Sequence, residues 1–410
     1  MNKPNILWIT VDACRKDMFY KLPYIQKLAK KSIVFENAFA NAPWTLPSVA
    51  SMFTGLYPSQ HGALNEKTKL KKNVKTIAEI LREKRYETII ITQNDGWITP
   101  FYGLTRGFKK IYDIEKLIEE TLKLNFQKRK KLRRLIRVFT KYFVGYSTLT
   151  IKLLKNLIRD TKEPWFIYLH LMDTHLPYEP RTFPIFAIFR YLVFYKNWKG
   201  KRQKTWVGEK GFSNKELKML KRYYIRAMKD AEKQIKKFIS ILDERKTVVL
   251  ITADHGENLG ENGIVGHQFS VSDNLLNVPL IVLTPSKDCG KVHALFETKN
   301  LFHFIDDVTS GNSINFRKSD YVFGENSVVV KVYNKLKKIK GDLSYPEKFI
   351  RTKKAKYVVF NNGKERIYRI ENKKEIPSKN KEALSNMRLL MRVKEKNLKK
   401  KVFLEIGDTR

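Results

Sequence analysis

The 410-residue chain carries 81 Lys and Arg against 41 Asp and Glu, a net charge of +40 that exceeds what solubility needs and implies a polyanionic partner or surface. Ion-pair networks enrich both signs together and do not produce such an excess. Two cysteines, Cys14 and Cys289, exclude a disulfide framework and a Cys-rich zinc module.

The first predicted element is the β-branched and aromatic run Ile6 to Val11, which reads as a buried strand of a parallel sheet. Asp12 follows it at the carboxyl edge, where open α/β sheets bind ligands. The next residues, Ala13 and Cys14, complete a DAC segment, and Cys14 is expected to be a small buried filler. The chain enters this strand at once, and no apolar stretch reaches spanning length, so the expected location is the cytoplasm, with peripheral docking on the inner membrane face.

From Pro43 to Gly62 the chain reads PWTLPSVASMFTGLYPSQHG, a turn carrying Thr45 that runs into an apolar helix. Such a turn aims a hydroxyl at a helix N-terminus, whose free N–H groups and dipole favour an anion. The bland alternative is that Thr45 is only the helix N-cap. A helical pattern follows in TIAEILREKR, then Asn94 in ITQNDGW.

Between Ile114 and Thr161 lie QKRKKLRRLIRVFTKYF and LTIKLLKNLIRD, basic amphipathic helices by their apolar spacing. A strand in EPWFIYLHLMDTHLPYEP, Glu163 to Pro180, places Asp173 and His175 beyond its end, with His170 inside it. Phe183 to Lys204 is too short, and too interrupted by Arg190, to span a bilayer, but suits an interfacial helix with aromatic residues on its apolar side. For both basic insertions the equal alternative is a cap packed on the core with a solvated cationic face. A long helix, LKMLKRYYIRAMKDAEKQIKKFISIL, leads into a second buried strand, TVVLIT, which ends in Asp254, His255, Gly256 and Glu257. His267 follows in GIVGHQFS, and the tail predicts two short strands joined around Asn361, Asn362 and Gly363 before a final helix.

Asp12 to Cys14, Thr45 to Gly55, Asp173 to His175 and Ala253 to Glu257, in this order, resemble the sulfatase branch of the alkaline phosphatase superfamily. The resemblance implies an α/β fold with a mainly parallel central sheet and helices on both faces. It divides the chain into a catalytic domain over 1–310, with basic insertions at about 114–161 and 183–204, and a small α+β subdomain over 311–410. It also implies that Asp12, Thr45, Asp254 and His255 hold one divalent metal. A mixed oxygen and nitrogen set suits Zn²⁺ or Mn²⁺, and Ala13, where many sulfatases have a second Asp, makes Ca²⁺ the lesser choice.

Two departures bear on the chemistry. Sulfatases oxidise a Cys or Ser to formylglycine, whereas the extra methyl of Thr45 would give a ketone. Val49 stands where the family has the Arg that supports formylglycine. Relatives that use an unmodified Thr act on phosphorus, so the resemblance favours a metal-dependent hydrolase or transferase of phosphate esters, lipid- or glycan-linked. In-line attack by Thr45 would form a phosphothreonine, released to water or to an alcohol. Asn94 would donate to the equatorial oxygens or only shape the turn before Gly96. His267, at the family's lysine position, would bind a second metal, protonate the leaving oxygen or contact substrate, and His175 lies near the same centre. His170 is expected to be a core residue or one behind the ligands.

The alternatives are a hydrolase of sulfuric or phosphonate esters and, from another class, a catalytically weak protein that binds an anionic surface. The expected partners are an anionic ester substrate and an anionic membrane surface. Specific nucleic-acid binding is disfavoured, because no zinc-finger spacing or RNA-recognition aromatic motif accompanies the charge.

Overall fold

The structure, a computed structural model, describes residues 3–121, 146–178, 198–312, 316–340 and 343–407. Among the described residues eleven strands precede residue 300: β1 Asn5–Val11, β2 Ile33–Phe39, β3 Glu87–Thr92, β4 Lys110–Asp113, β5 Trp165–Leu171, β6 Thr247–Thr252, β7 Asn258–Leu259, β8 Val265–Gly266, β9 Asn277–Val278, β10 Leu280–Leu283 and β11 Gly290–Glu297. Nine of them form one sheet in the order β11-β2-β10-β6-β1-β5-β3-β4, with β9 added to β2, and β7 pairs with β8 as a separate ribbon. The segment from β6 through β1, β5 and β3 to β4 is parallel, and β10 is the antiparallel member between β6 and β2.

Every residue of β1, β5 and β6 is buried, as continuous apolar strands covered on both faces must be. Their register sets Thr10 beside both His170 and Thr252, and sets Thr92 beside His170. Parallel neighbours in register end at one edge, so Asp12, Asn94, Asp173 and Asp254 leave the sheet at the same level.

The helix Thr45–Thr54 is buried along its whole length. It rests on the sheet through Phe53, whose ring meets Tyr168 at 4.7 Å and Trp8 at 5.8 Å in edge-to-face contacts. It stops at Gly55, which is left-handed at φ 72°. The 26-residue helix Asn214–Ile239 starts in a Ser213–Glu216 capping box. Its Tyr224 hydroxyl accepts from the Arg15 backbone N–H at 2.7 Å and donates to the Ala13 carbonyl at 2.8 Å, so it grips the turn after Asp12 from both sides.

The tail builds five antiparallel strands where the sequence predicts two: β12 Tyr321–Glu325, β13 Pro346–Thr352, β14 Ala355–Phe360, β15 Glu365–Glu371 and β16 Lys374–Ser378. The turn between β14 and β15 carries Gly363 at φ 76°, and the helix Lys381–Gly407 lays Met387 and Met391 against Ile350, Tyr357 and Ile367. Phe39, Leu275, Leu276 and Leu295 share one buried cluster with Val322, Phe349 and Val358, so the two sheets meet through an apolar seam.

The runs at 122–145 and 179–197, which carry most of the two basic insertions, lie outside the described residues. The described parts of the first, the helices Ile114–Thr121 and Tyr146–Asp160, bury Ile114, Ile118, Leu154 and Leu157 in the main core, as a cap packed on the core requires. Among the described residues no helix is long and apolar enough to cross a membrane. Leu154→Ala is expected to lower unfolding free energy by about 2–4 kcal/mol in denaturant titrations, the cost of a core cavity. A loss below about 0.5 kcal/mol would mean the helix does not cap the core.

Candidate metal and nucleophile site

Four elements bring polar side chains to the shared sheet edge. Asp12 ends β1, Asp254 and His255 follow β6, Asn94 follows β3, and Thr45 enters on the first residue of its helix. Trp44, not Thr45, is the helix N-cap, and it makes no side-chain cap bond. The Thr45 hydroxyl therefore does not serve the helix. It donates to Asp12 Oδ2 at 3.2 Å and lies 3.4 Å from His255 Nε2.

Asp12 is fully buried, and its two oxygens have different surroundings. Oδ2 also accepts from Asn94 Nδ2 at 3.1 Å and His170 Nε2 at 3.0 Å. Oδ1 has no hydrogen-bond partner. Asp254 is divided in the same way: Oδ1 accepts the backbone N–H groups of His255 at 2.9 Å and Ala13 at 3.3 Å, and Oδ2 is buried without a partner. The two orphaned oxygens flank His255 Nε2, at 3.5 Å for Asp12 Oδ1 and 3.6 Å for Asp254 Oδ2. His255 Nδ1 donates to the Gly256 carbonyl at 2.8 Å, which leaves a lone pair on Nε2.

Two lone carboxylate oxygens and the Thr45 hydroxyl thus lie around the His255 Nε2 lone pair, and Asp12, His170 and Asp254 offer ligand atoms within 4.8 Å of one another, donor types that suit a divalent cation. Buried oxygens of this kind are costly unless a cation meets them. The electrostatics agree. Burial pushes the Asp12 carboxyl up, but the neighbouring His175, His170 and His255 outweigh it and hold it well below the usual carboxylate range. Burial and then the Asp12 charge push Asp254 up. Burial opposes protonation of His255, yet Asp254 and Asp12 raise its pKa.

Asn94 reaches the site and also shapes its turn. Its amide nitrogen donates to Asp12, and its Oδ1 accepts the N–H groups of Gly96 at 3.2 Å and Trp97 at 2.9 Å. His267 and His175 form a second layer beside His255, with ring centroids 4.4 Å apart for His255–His267 and 5.4 Å apart for His175–His267. Burial pushes His175 down to about 4. Burial, with His255 and Arg202 nearby, holds His267 well below its ordinary value. Cys14 is a buried member of the main apolar cluster.

His170 takes the second of its two expected places, behind the ligands: with the Tyr168 hydroxyl donating to its Nδ1 at 3.0 Å, its Nε2–H donates to Asp12, so it orients the carboxylate, although its ring also lies close enough to Asp12 and Asp254 to join a cation. Its signal was the polar residue one step before the end of an apolar strand. Thr174 and Glu257, at the same edge, were assigned no role by sequence reasoning. Thr174 donates to the Asp12 carbonyl at 2.5 Å. Glu257 is fully buried, lies 3.2 Å from His267 Nδ1 through Oε1, and is pushed by burial up to about 7. Its signal was its place two residues after His255.

With this geometry in hand, comparisons give the relationship. The family model described as Sulfatase matches residues 4–311. The uncharacterized sulfatase YidJ of Escherichia coli K12 is 22% identical over 333 residues, covering 71% of this chain and 65% of that protein. The chain therefore spans just under two thirds of that relative's length. Among solved structures, a 2-O GAG sulfatase aligns with a TM-score of 0.68 at 16% identity, over 100% of this chain and 94% of its own. The phosphonate monoester hydrolase of Agrobacterium radiobacter aligns with a TM-score of 0.65 at 16% identity, over 90% and 89%. These structures share the fold, a mixed α/β architecture around a mostly parallel sheet.

Two stability measurements follow from the buried carboxylates. Asp254→Asn removes one of two facing charges, so the metal-free protein is expected to melt at a higher temperature than wild type, while the rise in melting temperature on adding Mn²⁺ or Zn²⁺ disappears. Equal melting of the two metal-free proteins would show that the pair carries no strain. Glu257 is raised above its unfolded value, so its contribution is present below about 4.5 and lost as pH rises through about 7. The melting temperature of metal-free wild type should fall over that window more than that of Glu257→Gln, and parallel curves would remove Glu257 as the cause.

Proposed function

The chain belongs to the sulfatase family, and from that membership we propose that it is a metal-dependent hydrolase or transferase of tetrahedral oxyanion esters, with phosphate esters preferred and Thr45 Oγ1 as nucleophile. The observation that carries this reading is the Thr45 hydroxyl set between Asp12 and His255, beside two carboxylate oxygens that have no other partner. A divalent cation held by Asp12, Thr45, Asp254 and His255, with Zn²⁺ or Mn²⁺ favoured, would lower the hydroxyl pKa and offset charge on the transferred group.

Asp12 Oδ2 accepts the Thr45 hydrogen bond and so aims the hydroxyl, while its carboxyl, held well below the usual range, leaves the lowering of the hydroxyl pKa to the cation. Attack by Oγ1 on phosphorus displaces the alcohol and leaves a phosphothreonine, which water or a second alcohol then clears. His267, tied by Nδ1 to Glu257, keeps its other nitrogen for the substrate, and the Glu257–His267 pair can hold the proton the leaving oxygen takes. The Asn94 amide keeps Asp12 in place. A net charge of +40 supports an anionic substrate, including a lipid- or glycan-linked one.

Phosphorus is preferred over sulfur because a threonine cannot become formylglycine, and because position 49 holds a buried valine. The second reading, hydrolysis of sulfuric or phosphonate esters, is favoured by the family match and by the likeness to a phosphonate monoester hydrolase fold.

The test is metal content together with turnover of p-nitrophenyl phosphate, bis-p-nitrophenyl phosphate and p-nitrophenyl sulfate, with Mn²⁺, Zn²⁺ or Ca²⁺ added in turn. Phosphoester turnover that requires metal and falls at least about a thousandfold in Thr45→Ala is the expected result, since such an enzyme loses its nucleophile. Sulfate turnover as the main activity would replace the first reading with the second. A metal-free, inactive protein that binds anionic vesicles would replace both.

A further inference from the structure

The end of the second basic insertion and the two residues that follow it, together WKGKRQKTW, form the helix Trp198–Trp206. Trp198, Arg202 and Trp206 are spaced four apart and share one face. The Arg202 guanidinium carbon lies 4.6 Å from the Trp198 ring centroid and 4.5 Å from that of Trp206, so the cation is held between two indoles. Trp206 is itself fixed, its indole N–H donating to the Val265 carbonyl at 3.0 Å and its ring resting on Phe269 at 4.9 Å.

The Arg202 stem crosses Gly266, where an added Cβ would lie 2.9 Å from Arg202 Cδ and 3.4 Å from the Trp206 ring. Gly266 directly precedes His267, and the Arg202 charge is felt at His267 and Glu257. The guanidinium is thus brought beside the candidate site by a segment distant in sequence from its other residues.

Arg202 Nε is buried without a hydrogen-bond partner, and among the described residues no carboxylate pairs with this guanidinium. A stacked guanidinium keeps its N–H donors in the ring plane, free for an anion. Burial lowers its pKa only to about 10, so it remains charged at neutral pH. Glu257 is felt at this charge without an ion-pair contact, so the guanidinium keeps hydrogen-bonding capacity that a two-oxygen anion seated on it would fill with charge-assisted bonds.

We propose that Arg202 binds a second anionic group of the substrate, a carboxylate, sulfate or phosphate on the alcohol portion of the ester, and so selects esters of charged alcohols. The inference rests on the reading of the site as an oxyanion esterase. The second anion is preferred to the transferred group because Thr45, Asn94 and the facing carboxylates lie on the other elements, while Arg202 lies against Gly266, the residue before His267.

The test compares p-nitrophenyl phosphate with 3-carboxy-4-nitrophenyl phosphate in the Mn²⁺-loaded full chain. Wild type should prefer the carboxylated ester. In Arg202→Gln and Arg202→Ala the ratio of kcat/KM for the two esters should fall at least about tenfold, mainly through KM, with Arg202→Lys retaining part of the preference. Equal losses on both esters through kcat would assign Arg202 to the transferred group and overturn the proposal, as would an unchanged ratio or no preference in wild type. Equilibrium binding of the two esters to Thr45→Ala, with and without Arg202→Gln, reads the same preference without turnover. Discrimination there in a wild type that hydrolyses neither ester would sink the esterase reading and keep the anion site. Its absence would sink the anion site.

Discussion

Two buried carboxylates, Asp12 and Asp254, face each other across the ends of adjacent parallel strands, each with one oxygen hydrogen-bonded and one left bare. Like charges this close in a low-dielectric interior repel strongly, and the fold keeps them ionisable only by surrounding them with donors. His170 and Asn94 donate to one, and two backbone N–H groups donate to the other. The remaining imbalance is what a divalent cation answers. A site built in this way would favour a cation because the folded chain has already taken on the cost of assembling the candidate ligands.

That arrangement depends on sheet order. The sequence β3-β5-β1-β6 puts four strand ends side by side, so residues separated by up to 241 positions along the chain come within hydrogen-bond distance. Thr45, the proposed nucleophile, arrives differently, on a helix wedged against the sheet by Phe53, Trp8 and Tyr168. Tyr168 then contributes twice, as a core ring and through its hydroxyl on His170. Core packing and site orientation are therefore one structure, and loosening the aromatic trio would move the ligands as well as lower stability.

Much of the site was legible before the fold. Asp12, Asp254 and His255 stand where apolar β-branched runs stop, and a polar residue at a strand's carboxyl end marks an α/β ligand edge. Thr45 was marked by a turn entering an apolar helix, although its exact place, first helical residue rather than cap, required backbone angles. Thr174 and Glu257 were harder to assign because their roles are directions, not identities, and for His170 the sequence left a core place and a place behind the ligands both open. A histidine inside a buried strand reads as core until the register shows it level with Thr10 and Thr92. The C-terminal region was under-read for a similar reason: its extra strands are short and partly polar, and only pairing with β13 and β14 makes them strands.

The sequence by itself determined the fold class, the cluster of candidate metal-ligand residue types and the excess of positive charge, because these follow from local periodicity, composition and residues at strand ends. It also carried the aromatic and basic run from Phe183 to Lys204, which reads locally as an interfacial helix or a cap. Tertiary structure alone decided that Arg202 lies across Gly266, the residue before His267, that the helix Tyr146–Asp160 packs on the core, and which oxygen of each carboxylate stays bare. Those outcomes depend on contacts between segments far apart in the chain, and no local pattern encodes the direction in which a side chain meets a distant partner.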